Sequence, residues 1–396
     1  MALYSALFFG LLVSIAASSI NTHALGADQF GDFKFIQNLS MFSVTFLTMG
    51  FFVSAGRYFA ITDNINDIRS MLGSVIAILF LIYIIFALLF LFISSYLVVI
   101  FNRDLGWLIQ ISLPLIFIYP LNVCLENILK GLNAIYSLAL TRFLPNFIYL
   151  LYAYYLFKAD ELNLTSAYFG YLGISAFFYV AVLLNQKPMF NEFCHNIHTL
   201  IQTTREYGFK VYTGILASVA TMQLGGVMTA YYLDTRSAGF FLLASTITMP
   251  LIQVSTTLGI TLFKRFAKSQ SISTKVILIM LGVSVGLLIF FFMVIEDLVK
   301  WLYPPEFEII ISLCYIMAIG ATLQGLGGVL NNYLCAKGYG VFSRNASFIR
   351  GGVNLLGFTL GIKFFGLLGA SITVLAAGAC FLVAQLYYYK LATRKV

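Results

Sequence analysis

Polar positions are so sparse along this chain that they act as punctuation between apolar runs. From Val75 to Ile93 no charged residue interrupts the sequence, and a run of about 20 apolar residues is the length a helix needs to cross a bilayer core. Apolar windows between polar breaks predict twelve such spans, at 2–21, 33–56, 73–97, 106–128, 137–157, 166–186, 210–232, 239–262, 275–298, 308–330, 343–362 and 365–388. A membrane β-barrel would instead show alternating segments of about 10 residues, so the pattern predicts helices. The run Leu3 to Ile15 has no Lys or Arg before it and is followed by eleven similar segments, which reads as a retained first span rather than a signal peptide.

Composition agrees with that pattern: 61% of the 396 residues are hydrophobic, 10% are charged, and the mean hydropathy is +0.94. The fold class predicted is an all-α polytopic membrane protein. Of the 23 basic residues, Lys34, Arg103, Lys158, Arg236, Lys300 and Lys363 fall on one side of a twelve-span layout and the other 17, Lys264, Arg394 and Lys395 among them, on the opposite side. Because Lys and Arg accumulate in cytoplasmic connections, this places both termini in the cytoplasm. The net charge of +8 therefore reports topology and gives no reason to expect a nucleic-acid partner.

No connection is long enough to fold separately. The longest, "KPMFNEFCHNIHTLIQTTREYGFK", places Met189, Phe190, Phe193, Ile197 and Ile201 at helical spacing, as in a helix lying on a membrane surface. Cys194, His195 and His198 within it form only a weak metal pattern, and the five cysteines are odd in number and far apart, so neither a metal nor a disulfide framework is expected. No other cofactor is expected.

The chain repeats itself at an offset of 208 residues. Gly31 and Arg57 recur as Gly239 and Arg265, and Arg142 with Asn146 recurs as Arg350 with Asn354. At slightly different offsets "LKG" at 129–131 faces "AKG" at 336–338, and "GYLGIS" at 170–175 faces "GLLGAS" at 366–371. We therefore expect two homologous six-helix bundles, 1–186 and 210–396, joined by an amphipathic cytoplasmic linker at 187–209. Halves with an even number of spans keep one orientation and are related by a pseudo-twofold axis along the membrane normal, as in alternating-access transporters.

The stretch "LGADQFGDF", followed by a span ending in "GRYFA", resembles the start of the polysaccharide exporters of the MOP superfamily, and the whole layout is similar to that of Wzx-type O-antigen flippases. The resemblance implies translocation of undecaprenyl-diphosphate-linked oligosaccharide repeat units from the cytoplasmic to the periplasmic leaflet, by alternating access through a cationic central cavity. It also implies membrane lipids, a polysaccharide polymerase and a chain-length regulator as partners.

The basic residues suit an anionic, lipid-linked cargo. Arg142 and Arg350 lie one to two turns inside their spans, each with an Asn at i+4, and two readings stand: they grip diphosphate, the favoured one, or they snorkel to the surface as topology signals. Arg57 and Arg265 sit at span ends, where the topology reading is the stronger. Glu126, four residues before Lys130, either takes up a coupling proton or only balances Lys130, and the second is favoured. Pro114, Pro120, Pro145 and Pro250 are expected to kink their helices, and the pairs Gly282/Gly286 and Gly357/Gly361 to allow close helix packing. Multidrug exporters of the same superfamily remain an alternative, although cationic drugs would favour buried acids. A membrane O-antigen polymerase or ligase is less favoured, since the outer connections are short and no paired carboxylates or nucleophile motif could assemble an active site; the protein is not expected to be an enzyme.

Overall fold

In a computed structural model the backbone is described for residues 2–394 and side chains for 9–393 except Lys264. The side chains of residues 2–8 in the first span, and those of Lys264, Arg394 and Lys395 in the basic-residue division, lie outside the described residues. Among the described residues every regular element is a helix, and the chain is a multi-pass helical membrane protein. Large apolar side chains point outward as well as inward. Phe80, Phe92 and Val99 on the third span and Phe290 and Met293 on the ninth are more than half exposed, as lipid requires and water would penalise.

Eight helices among the described residues are long and apolar enough to cross a membrane. Two of these, Phe9–Leu47 and Gly340–Thr393, each contain two spans that meet at a single glycine. Gly26 (φ 65°, ψ 179°) and Gly366 (φ 58°, ψ −141°) take backbone conformations that a side chain would resist. The fourth span, 106–131, is broken into Gly106–Ser112 and Ile118–Gly131. The fifth, Ile135–Lys158, is less apolar because it carries several tyrosines and Arg142. With these the twelve spans are complete.

Two local expectations, the continuous second span and the packing role of Gly282 and Gly286, are corrected. The second span is not continuous: its helix stops at Leu47 and resumes as Phe51–Ile61, with Met49 at φ 44° and Gly50 at φ 84° between. Gly50 is needed there, since a Cβ would sit 2.6 Å from the carbonyl oxygen of Gly208. The prolines act unequally. Pro114 lies in the break of the fourth span and Pro120 in the first turn of the helix that follows it, while Pro145 and Pro250 lie inside their helices. Gly282 and Gly286 face open space and mediate no packing, whereas Gly357 and Gly361 lie against Thr373 and Gly369 of the last helix.

The chain divides into two compact units, Met1–Leu216 and Ala217–Val396. In the first, the helix Phe51–Ile61 and the buried faces of the third and fourth spans form one core, built on Phe52, Met71, Val75, Leu121, Cys124 and Ile128. The connecting segment joins this core. Its helix, Phe193–Thr203, turns Leu200 inward and leaves Phe193 and Ile201 exposed, while Asn196 Nδ2 donates to Ser70 Oγ at 2.7 Å. In the second unit a core around Phe266, Met280, Val329 and Tyr333 packs against the last helix through Tyr388 and Tyr389.

Candidate functional site

The first unit gathers its charge where the fourth and fifth spans meet. A tight turn at 132–134 makes a hairpin of Ile118–Gly131 and Ile135–Lys158, so residues at similar distances from the turn face each other. Glu126 and Arg142 meet in this way. Glu126 Oε1 accepts from Arg142 Nη2 at 2.6 Å and from Lys130 Nζ at 2.6 Å. One carboxylate thus serves two cations, and the triad keeps one net positive charge. Arg142 lies about 10 Å along its helix from Ile135, with its side chain 34% exposed, so the guanidinium is not sealed inside the protein. Asn146 does not extend this polar face: its Nδ2 donates back to the Arg142 carbonyl at 3.0 Å.

Close packing fixes the neighbouring helix. A Cβ at Gly56 would lie 2.7 Å from the Asn127 carbonyl oxygen, and Gly131 lies against the Gly56 backbone, so Phe51–Ile61 presses directly on the helix that carries Glu126. Arg57, the next residue, is exposed and stacks over the ring of Tyr207 at 4.3 Å from its centroid. It has no acidic partner. This contact and the Thr204 Oγ1 to Ser54 Oγ hydrogen bond of 3.0 Å hold the connecting segment to the second span.

The corresponding position in the second unit has different surroundings. Arg350 lies about 15 Å along the helix Gly340–Leu356 from its start and is only 9% exposed. Gly351 brings this helix against the Ala217 carbonyl, a contact that any side chain would prevent. The guanidinium meets no carboxylate. Nη2 approaches Met222 Sδ at 3.4 Å, the guanidinium carbon lies 5.7 Å from the centroid of the Phe381 ring, and Nε has no partner. Asn354, one turn on, is 1% exposed; Nδ2 donates to Thr221 Oγ1 at 3.2 Å and Oδ1 accepts nothing. Arg265 lies apart from this cluster, exposed on the short helix Phe263–Lys268.

A charged group in the membrane interior is costly unless paired or hydrogen-bonded. Arg142 is compensated within its own unit and Arg350 is not. A guanidinium has five donors in a planar fork, suited to bidentate binding of phosphate or carboxylate. The Arg350 cluster can therefore receive an anion without first giving up an ion pair, while Arg142 can do so by exchanging Glu126 for it. The sequence analysis missed Tyr207, Thr221, Met222 and Phe381, whose contacts to Arg57, Arg350 and Asn354 bridge positions too distant in the chain for any periodic pattern to relate. The Glu126–Arg142 pair did have a signal, because both residues are nearly equidistant from the predicted turn.

Among the described residues no three His, Cys, Asp or Glu side chains gather in a way that could hold a metal ion, and Cys194, His195 and His198 are all exposed. No known sequence family and no curated protein sequence matches the chain. Solved structures do. The lipid II flippase MurJ in an inward closed conformation aligns with a TM-score of 0.77 at 14% identity, over 98% of this chain and 88% of that one. An inward-facing multidrug resistance MATE family transporter of the MOP superfamily aligns at 0.71 and 11% identity, over 98% and 95% of the two chains. An outward-facing MATE family transporter of the same superfamily aligns at 0.63 and 11% identity, over 100% and 96%. Likeness along the whole chain at such low identity is a likeness of fold: this chain has the fold of the MOP superfamily transporters.

Proposed function

We propose that the protein is a flippase of the bacterial inner membrane, oriented with both termini in the cytoplasm, that moves undecaprenyl-diphosphate-linked O-antigen repeat units to the periplasmic leaflet by alternating access. The observation that carries this reading is the buried guanidinium of Arg350, which has an unused Nε donor and no carboxylate beside it. Such a group repels a cationic drug and attracts a diphosphate, which favours the lipid-linked cargo over a multidrug substrate. The exposed apolar side chains along the spans suit a substrate whose polyprenyl tail stays in lipid while its head group crosses. Arg142 and Arg350 bind the diphosphate, Asn354 lies beside Arg350 one turn on, and Arg57 and Arg265 keep the cytoplasmic end positive. A polysaccharide polymerase and a chain-length regulator are the partners that would take the product onward.

The test is complementation of surface O-antigen in a flippase-deficient strain, with membrane protein level as the control. Arg142→Ala with Arg350→Ala should abolish surface polysaccharide. Arg142→Lys and Arg350→Lys should also lose activity, because lysine keeps the charge and loses the planar fork. Arg57→Lys and Arg265→Lys should be tolerated. Full activity of the double alanine variant at normal abundance would overturn the assignment.

A further inference from the structure

The end of the first unit opposite Arg142 holds a cavity that the arginines do not explain. From Arg142 to Lys158 the fifth helix climbs about 24 Å, most of the roughly 30 Å apolar core of a bilayer. Beyond it, the connections between spans one and two, three and four, and five and six line a cavity of about 690 Å³ that is widely open to the outside. This volume lies within the range of about 300–1,000 Å³ that holds small organic ligands. Gln29, Asp32, Asp104, Trp107, Asn163 and Thr165 are among its lining residues.

The chemistry of this lining is specific. Asp32 is buried and paired with Arg103 Nε at 3.6 Å, while Arg103 Nη2 binds Asp28 at 2.8 Å, so this neighbouring guanidinium is already engaged by carboxylates. Among the described residues no cation lines the cavity while the Asp32 and Asp104 carboxylates do, which disfavours a phosphate or diphosphate as its ligand. Among the described residues no cluster here or elsewhere could hold a metal ion. Asn163 is committed to its own helix, with its side chain accepting from the Ser166 backbone at 3.0 Å. That leaves the Asp104 carboxylate, the Gln29 amide and the Thr165 hydroxyl around the exposed face of Trp107. Carboxylate and amide oxygens accept hydrogen bonds from hydroxyl groups, and an indole face packs against the C–H face of a ring that carries them. We infer that this cavity is a binding site for a neutral saccharide, engaging the glycan part of the cargo at the end of the first unit away from Arg142.

The inference rests on the flippase reading for its role, but its test is independent. The chain has two tryptophans, Trp107 and Trp301, so Trp301→Phe leaves Trp107 as the sole reporter. The purified full-length variant, in a detergent without a sugar head group, is titrated with N-acetylglucosamine, galactose and maltotriose while Trp107 emission is followed. A saturable change with at least one of them, weakened about tenfold by Asp104→Ala, supports the site; Thr165→Val should weaken it too. Absence of any saturable change, a change that Asp104→Ala and Thr165→Val leave untouched, or a response of Trp107 to pyrophosphate instead, overturns it. Calorimetric titration of pyrophosphate on the same sample reports on the arginines. Pyrophosphate binding without saccharide binding would leave the flippase reading standing and remove the saccharide site, and the reverse result would remove the flippase reading alone.

Discussion

Replacing Glu126 by Gln removes the one carboxylate that Arg142 and Lys130 share, and the geometry predicts the sign and size of the effect on anion binding. Glu126 lies 2.6 Å from Arg142 Nη2. A phosphate oxygen on the far side of that guanidinium would sit about 2.9 Å from it, hence about 5.5 Å from the carboxylate. One unit charge at that distance contributes about 0.8 to 1.5 kcal/mol of repulsion at an effective dielectric constant of about 40 to 80. Both groups are about one-third exposed, so screening and side-chain mobility bring the expected value toward the lower half, about 1 kcal/mol. Glu126→Gln should therefore tighten pyrophosphate binding about fivefold. Isothermal titration of the purified protein at fixed ionic strength measures this directly. Arg142→Ala should cancel the gain, so that the double variant binds no better than Arg142→Ala alone, whereas Lys130→Gln should leave most of it intact. Unchanged or weaker binding by Glu126→Gln, with the fold intact by circular dichroism, would refute the competition: Glu126 would then be orienting Arg142 for the anion rather than occupying its place.

Two further outcomes are expected. Gly56→Ala should lower the thermal midpoint of the detergent-solubilised protein, because its Cβ meets the Asn127 carbonyl oxygen at 2.7 Å and such overpacking costs about 1–3 kcal/mol, while Gly282→Ala, facing open space, should not; equal midpoints for the two would remove the close-packing role of Gly56. A reporter active only in the cytoplasm should function when inserted at Gly338, and one active only in the periplasm when inserted at Asp160, since these connections follow an even and an odd number of spans; the opposite pattern at either position would overturn the proposed orientation.

The spans were legible because a bilayer imposes one length and one polarity on whatever crosses it, and runs such as Val75 to Ile93 have no other use. Their interruptions were less legible. The break at 48–50 depends on the approach of Gly208, some 160 residues away, and nothing within "TMGFF" announces it. Gly282 and Gly286 show the converse: their spacing suggested a packing face, but spacing does not say whether another helix is there to use it. At the candidate site the arginines and Glu126 could be picked out by type and depth, since ionised groups are rare inside spans. Their inequivalence could not. Arg142 and Arg350 occupy matching repeat positions with the same Asn at i+4, yet one is neutralised by a carboxylate on the adjoining span and the other lies among Met222 and Phe381. The cavity around Trp107 also escaped notice, because its lining comes from three connections that read separately as ordinary polar loops.

The single-residue junction at Gly366 has a consequence for how the polypeptide reaches its membrane. The helix before it carries Arg344, Asn345, Arg350 and Asn354, and an arginine near the middle of a span opposes insertion by about 2.5–3.5 kcal/mol. Emerging alone from the insertion machinery, this segment would partition poorly into lipid. The segment after Gly366 opens with the apolar stretch "LLGASITVLAAGACFLVA" and leaves no slack between the two. Biogenesis should therefore stall at the eleventh segment and resume only when the twelfth is exposed, with the pair integrating as one helical hairpin. A chain ending at Gly366 should be degraded rather than retained as an eleven-span protein.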